Sequence, residues 1–405
     1  MCRFSLVFAA FVIFAQAATA ASPNPKDLAI VPTELSRARE LVAKLGSEDF
    51  DEREAAQENL AKMGRLALPA LVDGLNANPS PEVRFRCQSL VPKASHEDLQ
   101  ARLATFDADV EHKYEHDLPG WNEFRKIVGG STPASRTVFI ELLKESPNRA
   151  LVLAVNDPPS ELGSLVAARK QELYQMRFPR TPNTPRKEQT VPDVIALMFA
   201  ESHVGSKHVP RTVAGTTVYN IAGLTTAVTD GTDKAAVYKA VVGQWMETRD
   251  DAVSMYTAMN QANMMGLPKQ GSVVAAKLLQ LKGATVFYRM TAGLTLAKNG
   301  AKEQLPAIES AFNEDAGLTL RQGLPNGNIE MNTLQVRDVA LASAVLLTGQ
   351  KPEDYGLVEL HKNQPGMQYT YQNWRLPEDK RKDAFEKWKA WRAKNPDFGK
   401  PDDKK

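Results

Sequence analysis

Cysteine is nearly missing from this chain: two among 405 residues, Cys2 and Cys87. Charge of one sign is missing too, since 50 lysines and arginines face 48 acidic residues. So even a balance gives no electrostatic reason for nucleic acid or an anionic membrane as a general partner. Beyond the first twenty residues no apolar run reaches the ~20 residues that a spanning helix requires. No G-x-S-x-G, Walker loop or paired C-x-x-C occurs, so three common routes to a catalytic or metal site have no sequence signature.

The first twenty residues read as a secretory signal. Arg3 supplies the positive start, Leu6 to Ala15 is apolar, and Ala18-Thr19-Ala20 places small residues at a cleavage site. The expectation is an exported protein, periplasmic or secreted, with residues 1–20 removed. A lipoprotein cysteine would follow the apolar run, whereas Cys2 precedes it. Cys87 then remains alone, so no internal disulfide forms and the core must hold the fold. The remaining length, about 385 residues, exceeds one compact core and implies several modules or an elongated array.

What the chain does have is a repeated sentence. Residues 53–64 read REAAQENLAKMG and residues 289–300 read RMTAGLTLAKNG. Each continues through a short loop into a proline near a helix start, LALPAL with Pro69 and EQLPAI with Pro306, and RDVALASAVLLTG (337–349) is a looser third version. Around the first copy, Thr33 is expected to cap a helix burying Leu35, Leu41, Val42 and Leu45. A second follows from Asp51 with Ala56, Leu60 and Met63 inward, stopped by Gly64 in a left-handed conformation. A third carries Leu68, Leu71, Val72 and Leu75, and Ser80-Pro81-Glu82 starts a fourth with Val83, Cys87, Leu90 and Val91 on one face. One helical hairpin cannot bury its own apolar stripe and must stack on a neighbour.

The segment 45–87, LGSEDFDEREAAQENLAKMGRLALPALVDGLNANPSPEVRFRC, resembles a HEAT-like repeat of the armadillo-type superfamily. LPGWNEFRKIVGG (118–130) and QVRDVALASAVLLTGQKPEDYG (335–356) extend the likeness, which covers most of the chain and is weakest between about 200 and 265. The resemblance implies an all-α superhelix and the exported, bacterial kind of such proteins; it implies nothing specific about chemistry.

Read this way, HEAT-like helical repeats occupy 33–176 and 193–362. Between them RFPRTPNTPRKEQTVPD supplies a proline-rich linker at 177–192, which could alternatively serve as a basic docking strand. Residues 209–229 are rich in Val and Thr and open to a strand reading beside the helical one. A β-hairpin is expected at 318–336 around Asn326-Gly327, the strongest short hairpin signal. Insertions of this sort project from a repeat scaffold, so Arg321, Pro325, Asn326, Gly327 and Asn328 are the candidate partner-binding residues, with a strap along the array as the alternative. Residues 377–394 read as a capping helix with Ala384, Phe385, Trp388 and Trp391 on one side; lying on a membrane is the competing use of that face. The tail 395–405 reads as disordered.

Catalytic signals are few. His112-Lys113-Tyr114-Glu115-His116 matches H-x-x-E-H, in which two imidazoles on one helical face hold Zn²⁺ beside a glutamate. Phe106, Val110 and Tyr114 would make the buried stripe of that helix, leaving His112 and His116 on a solvated face. Glu141 and Glu145 are the nearest candidates for a third ligand. His203 and His208 flank Gly205 at poor ligand spacing. Cys87 reads as a core residue. Trp121, Phe124 and Val128 read as an anchor closing the first module rather than a ligand cage. The expectation is thus a non-catalytic exported scaffold that binds a protein partner, with no cofactor and no metal. A zinc-dependent hydrolase using His112, Glu115 and His116 and a membrane-surface protein are the alternatives.

Overall fold

A computed structural model describes residues 22–77, 80–179, 185–323, 329–360, 364 and 366–400. It is 71% helical with two small two-stranded antiparallel sheets, the all-α class with a hairpin insertion that the periodicity predicts. Residues 1–20 and the hairpin tip, 324–328, lie outside the described residues. No helix among those described is long and apolar enough to cross a membrane.

The chain divides into two compact units between Leu118 and Pro119. The proline-rich stretch 177–192 therefore falls inside the second unit. The aromatic anchor Trp121/Phe124 likewise opens the second unit instead of closing the first, because its rings pack on Phe139 and Phe199.

In the first unit α1 (Pro32–Lys44), α2 (Phe50–Met63), α3 (Leu68–Asn76) and α4 (Pro81–Ala108) enclose one core. Ala38, Leu45, Ala56, Leu60, Leu71 and Cys87 are among its buried members. Asp49 and Ser80 cap α2 and α4 with their side chains, satisfying amides that the first turn leaves open. Two expectations fail locally. Val31, not Thr33, precedes α1 and makes no side-chain cap, and Val72 is 40% exposed while Ala70 takes the inward place. Gly64 ends α2 at φ 55°, ψ −125°, a conformation open to glycine but outside the left-handed helical region.

The second unit begins with α5 (Trp121–Val128), α6 (Pro133–Lys144), α7 (Ser146–Leu153) and α8 (Pro159–Arg177). After the proline-rich stretch come α9 (Val191–Glu201), α10 (Ala222–Thr229) and α11 (Asp233–Glu247). Then α12 (Ala252–Met264), α13 (Pro268–Gln280) and α14 (Val286–Lys298) pack each on the next, and α16 (Val336–Leu347) lies on α14 after the one-turn α15 (Leu305–Glu309). The stretch 209–221 holds neither strand nor α-helix; a single 3₁₀ turn, Thr217–Tyr219, precedes α10.

Strands β1 (Gly317–Gly323) and β2 (Ile329–Gln335) pair antiparallel from Gly317↔Gln335 to Gly323↔Ile329. Leu334 is buried at their base and Met331 is 61% exposed. A second pair, β3 (Val358–Glu359) with β4 (Trp374–Arg375), has no counterpart in the sequence reading.

The last helix, α17 (Glu378–Lys394), buries Ala384 and Trp388 within its own unit. Trp388 packs on Phe312 and Tyr355 and donates its indole N–H to Glu309 at 3.0 Å. Of the tail 395–405 expected to be disordered, residues 395–400 pack near this helix and 401–405 lie outside the described residues. Phe398 lies on Trp391, and Gly399, at φ 84°, sits so close to the Lys302 carbonyl that a Cβ would stand 2.4 Å from that oxygen.

Candidate functional site

Helices α8 and α9 place two ion pairs where two clefts open. Helix α9 is an apolar segment with an acid near each end, VPDVIALMFAE, and every residue from Asp193 to Glu201 is buried. Helix α8 brings the consecutive cations Arg169 and Lys170 to them. A buried carboxylate without a cation would be neutralised or expelled, so each acid of α9 fixes one cation of α8.

The larger cleft, about 850 Å³, is walled by α6, α8, α10, α11 and the start of α9. Arg169 Nη2 meets Asp193 Oδ1 at 2.7 Å and Asn148 Oδ1 at 2.9 Å, and its Nη1 meets Glu172 at 2.6 Å. Burial pushes the Asp193 carboxyl up. The Thr190 amide, the Asn148 amide group, the Thr190 hydroxyl and Arg169 outweigh it and lower the pKa overall. On the facing wall Glu141 accepts from Lys234 Nζ at 2.9 Å and from the Tyr238 hydroxyl at 3.3 Å. Burial raises the Tyr238 phenol, so it serves as a donor throughout the physiological range.

The second cleft, about 680 Å³, lies among α8, α9, the connection 202–221 and the start of α12. On its floor Glu201 accepts from Lys170, from the Tyr219 hydroxyl and from Trp245 Nε1 at 2.6 Å, with Arg249 Nη1 paired at 3.3 Å. Arg249 also donates to the Glu201 main-chain carbonyl at 2.6 Å. Desolvation is the largest influence on Glu201 and raises its pKa. Arg249 and Lys170, with the Lys170 and Tyr219 hydrogen bonds, more than offset it and hold the carboxyl at about 2. Burial and the Glu201 charge push the Tyr219 phenol well above its usual value. Glu201 is therefore permanently ionised at neutral pH and poorly suited to general acid or base work.

The connection 202–221 is long for a segment with no α-helix or strand, and such segments are commonly functional. Two of the contacts that pin it involve α8 and α9. Gly163 of α8 lets the His208 carbonyl approach until an added Cβ would stand 2.0 Å from its oxygen, and Glu201 holds Tyr219.

The sequence-derived candidates fare differently. The H-x-x-E-H stretch is not helical: α4 stops at Ala108, and His112 adopts φ 54°. Asp109 causes the break, because its carboxylate accepts the amides of Lys113 at 3.0 Å and Tyr114 at 3.1 Å and winds the chain into a loop. Val110 is 74% exposed, and His116, expected on a solvated face, is buried with Nε2 2.9 Å from Asp109 Oδ2. Burial raises the Asp109 carboxyl, while His116 and those two amides carry it down to about 2. Glu141 is engaged as above, and Glu145 precedes α7. No group of three or more His, Cys, Asp or Glu among the described residues is arranged to hold a metal.

Cys87 is buried and its thiol is pushed up by burial, as a core residue should be. His203 Nδ1 lies 2.8 Å from the Phe199 carbonyl. Arg321 sits on β1 opposite Met331, while Pro325, Asn326, Gly327 and Asn328 lie outside the described residues. Sequence reasoning missed Arg169, Lys170, Glu201, Tyr219 and Arg249. The available signal was an acid at each end of an otherwise apolar helix. Comparison with protein-family models, with curated proteins and with solved structures gives no match in any of the three.

Proposed function

We propose that this chain is a non-catalytic, exported binding protein in which HEAT-like helical repeats present surface to a protein partner. The observation that carries this reading is a recurring piece of backbone punctuation. Helix α2 is followed by Gly64 at φ 55°, a 3₁₀ turn at Gly64–Ala67 and α3 with proline in its first turn. Helix α14 is followed by Gly300 at φ 65°, a 3₁₀ turn at Lys302–Gln304 and α15 with proline in its first turn. Helix α16 is followed by Gly349 at φ 72° and a proline-started 3₁₀ turn at Pro352–Tyr355. Recurrence of one supersecondary unit is the mark of repeat proteins, whose stacked units leave long surfaces for extended partners. The buried charges of both clefts are held by fixed partners, which favours holding over proton transfer. Export rests on the leader at residues 1–20.

The hairpin β1–β2 is the proposed contact, through Arg321 and Pro325 to Asn328, since loops on a scaffold change without disturbing its packing. Cross-linking capture from the exported fraction tests this, using the full chain and a variant with 321–328 cut to a minimal turn. A partner held by the full chain and lost by the variant, at unchanged melting temperature, is expected. A sharp fall in melting temperature with capture unchanged makes the hairpin a strap. Stoichiometric zinc that disappears in a His112→Ala, His116→Ala double variant would replace the scaffold reading with a hydrolase.

A further inference from the structure

We infer that the cleft bounded by α8, α9, the connection 202–221 and the start of α12 binds an anionic oxygen group, a carboxylate or a phosphate, on a small ligand. This goes beyond partner binding and does not depend on it. The ground is an imbalance between occupied carboxylates and under-used donors.

Glu201 receives three hydrogen bonds and the Arg249 ion pair, close to the lone-pair capacity of a carboxylate. On the rim, Asp251 accepts the amides of Val253 and Ser254 at 3.1 and 3.0 Å, and the Ser254 hydroxyl as well. Asp250 accepts the Ser206 amide at 3.1 Å. These acids are engaged in building the walls. At Glu201 an entering cation would compete with those donors for lone pairs already taken.

The cations are in the opposite condition. The Lys170 ammonium has three N–H donors, and among the described residues it donates to one acceptor, Glu201, while lying 5.4 Å from the centre of the Tyr219 ring. Lys207 and Arg211 line the same cleft, are exposed, and make no ion pair or side-chain hydrogen bond among the described residues. Both are carried by the connection that Gly163 and Tyr219 pin down, so part of their positioning is already settled before a ligand arrives. A volume of about 680 Å³ suits a small ligand rather than a folded partner. The lining thus includes a buried ammonium, a guanidinium, a group able to grip two oxygens at once, and the Thr212 and Thr216 side chains.

Calorimetric titration of the full chain with inorganic phosphate and, separately, with succinate tests the inference. Lys207→Ala/Arg211→Ala serves as the variant because both side chains are exposed and their loss should leave the melting temperature unchanged. Saturable one-to-one binding of at least one probe is expected, weakened about tenfold or more in the double variant and weakened by added sodium chloride. Binding of phosphate alone assigns a phosphate-bearing ligand, and binding of succinate alone assigns a carboxylate. No saturable heat from either probe up to about 10 mM, beyond the range of a weak specific site, overturns the proposal. Equal affinity in the wild type and the double variant overturns it too.

Discussion

Lys170 and Glu201, 31 residues apart in sequence, form a buried ion pair that joins two helices. One position earlier, Arg169 pairs with Asp193 at the other end of α9 and lines the other cleft. Helix α8 is therefore held to α9 at two points by charges that water cannot replace. Exposed pairs such as Lys62–Glu58, 68% accessible on both sides, remain hydrated and contribute little.

Glu201→Gln should be among the most damaging single substitutions in the second unit. It removes the only carboxylate among the described residues that faces both Lys170 and Arg249, leaving two buried cations without a counter-charge. Breaking such a network from one side costs about 3–5 kcal/mol, read as a lower urea midpoint. Glu58→Gln in the same assay should leave the midpoint unchanged.

Acid should weaken both units over one pH window. The Glu201 carboxyl is lowered from the usual 4.5, and that of Asp109 from 3.8, each to about 2. A carboxyl depressed on folding adds stability that is fully present above its unfolded value and is lost as pH falls through its folded value. Urea midpoints should thus decline between about pH 4.5 and 2, and the decline should be shallower in Asp109→Asn and Glu201→Gln. A midpoint flat across that window would contradict the assignment.

The two parallel glycines should respond unequally to alanine. At Gly300, φ 65° with open space around an added Cβ, Gly300→Ala meets only the backbone cost of about 1–2 kcal/mol. At Gly64 the Cβ would also stand 1.9 Å from a Glu97 carboxylate oxygen, which accepts the Arg65 amide. Gly64→Ala should therefore lower thermal stability by more than Gly300→Ala does. Equal losses would mean that neither the ψ of −125° at Gly64 nor the Glu97 carboxylate adds a cost.

Trp388→Ala should release α17. The indole packs on Phe312, Tyr355 and Trp391 and donates to Glu309, and burial of this size is worth about 3–5 kcal/mol. Limited proteolysis should then cut within 378–400 before any other part of the chain. Liposome flotation of the same variant should exceed that of the wild type if the freed face is membrane-active.

Local grammar in the sequence decided most of the helices. Proline at a first turn, serine or aspartate before it, and glycine after the last turn act within a few residues, so Ser80-Pro81, Asp49 and Gly300 carry the same meaning wherever they occur. The hairpin followed from its alternation, because a period of two is also a local property. Burial of charge is not local. Arg169 and Lys170 look like solvent-facing helical cations until α9 supplies Asp193 and Glu201, and His116 looks exposed until Asp109 folds the chain back upon it. The connection 202–221 has no period at all; its path depends on Gly163 of one helix and Tyr219 held by the end of another. Such features depend on distances between segments remote in sequence, and only the packed tertiary structure brings those segments together.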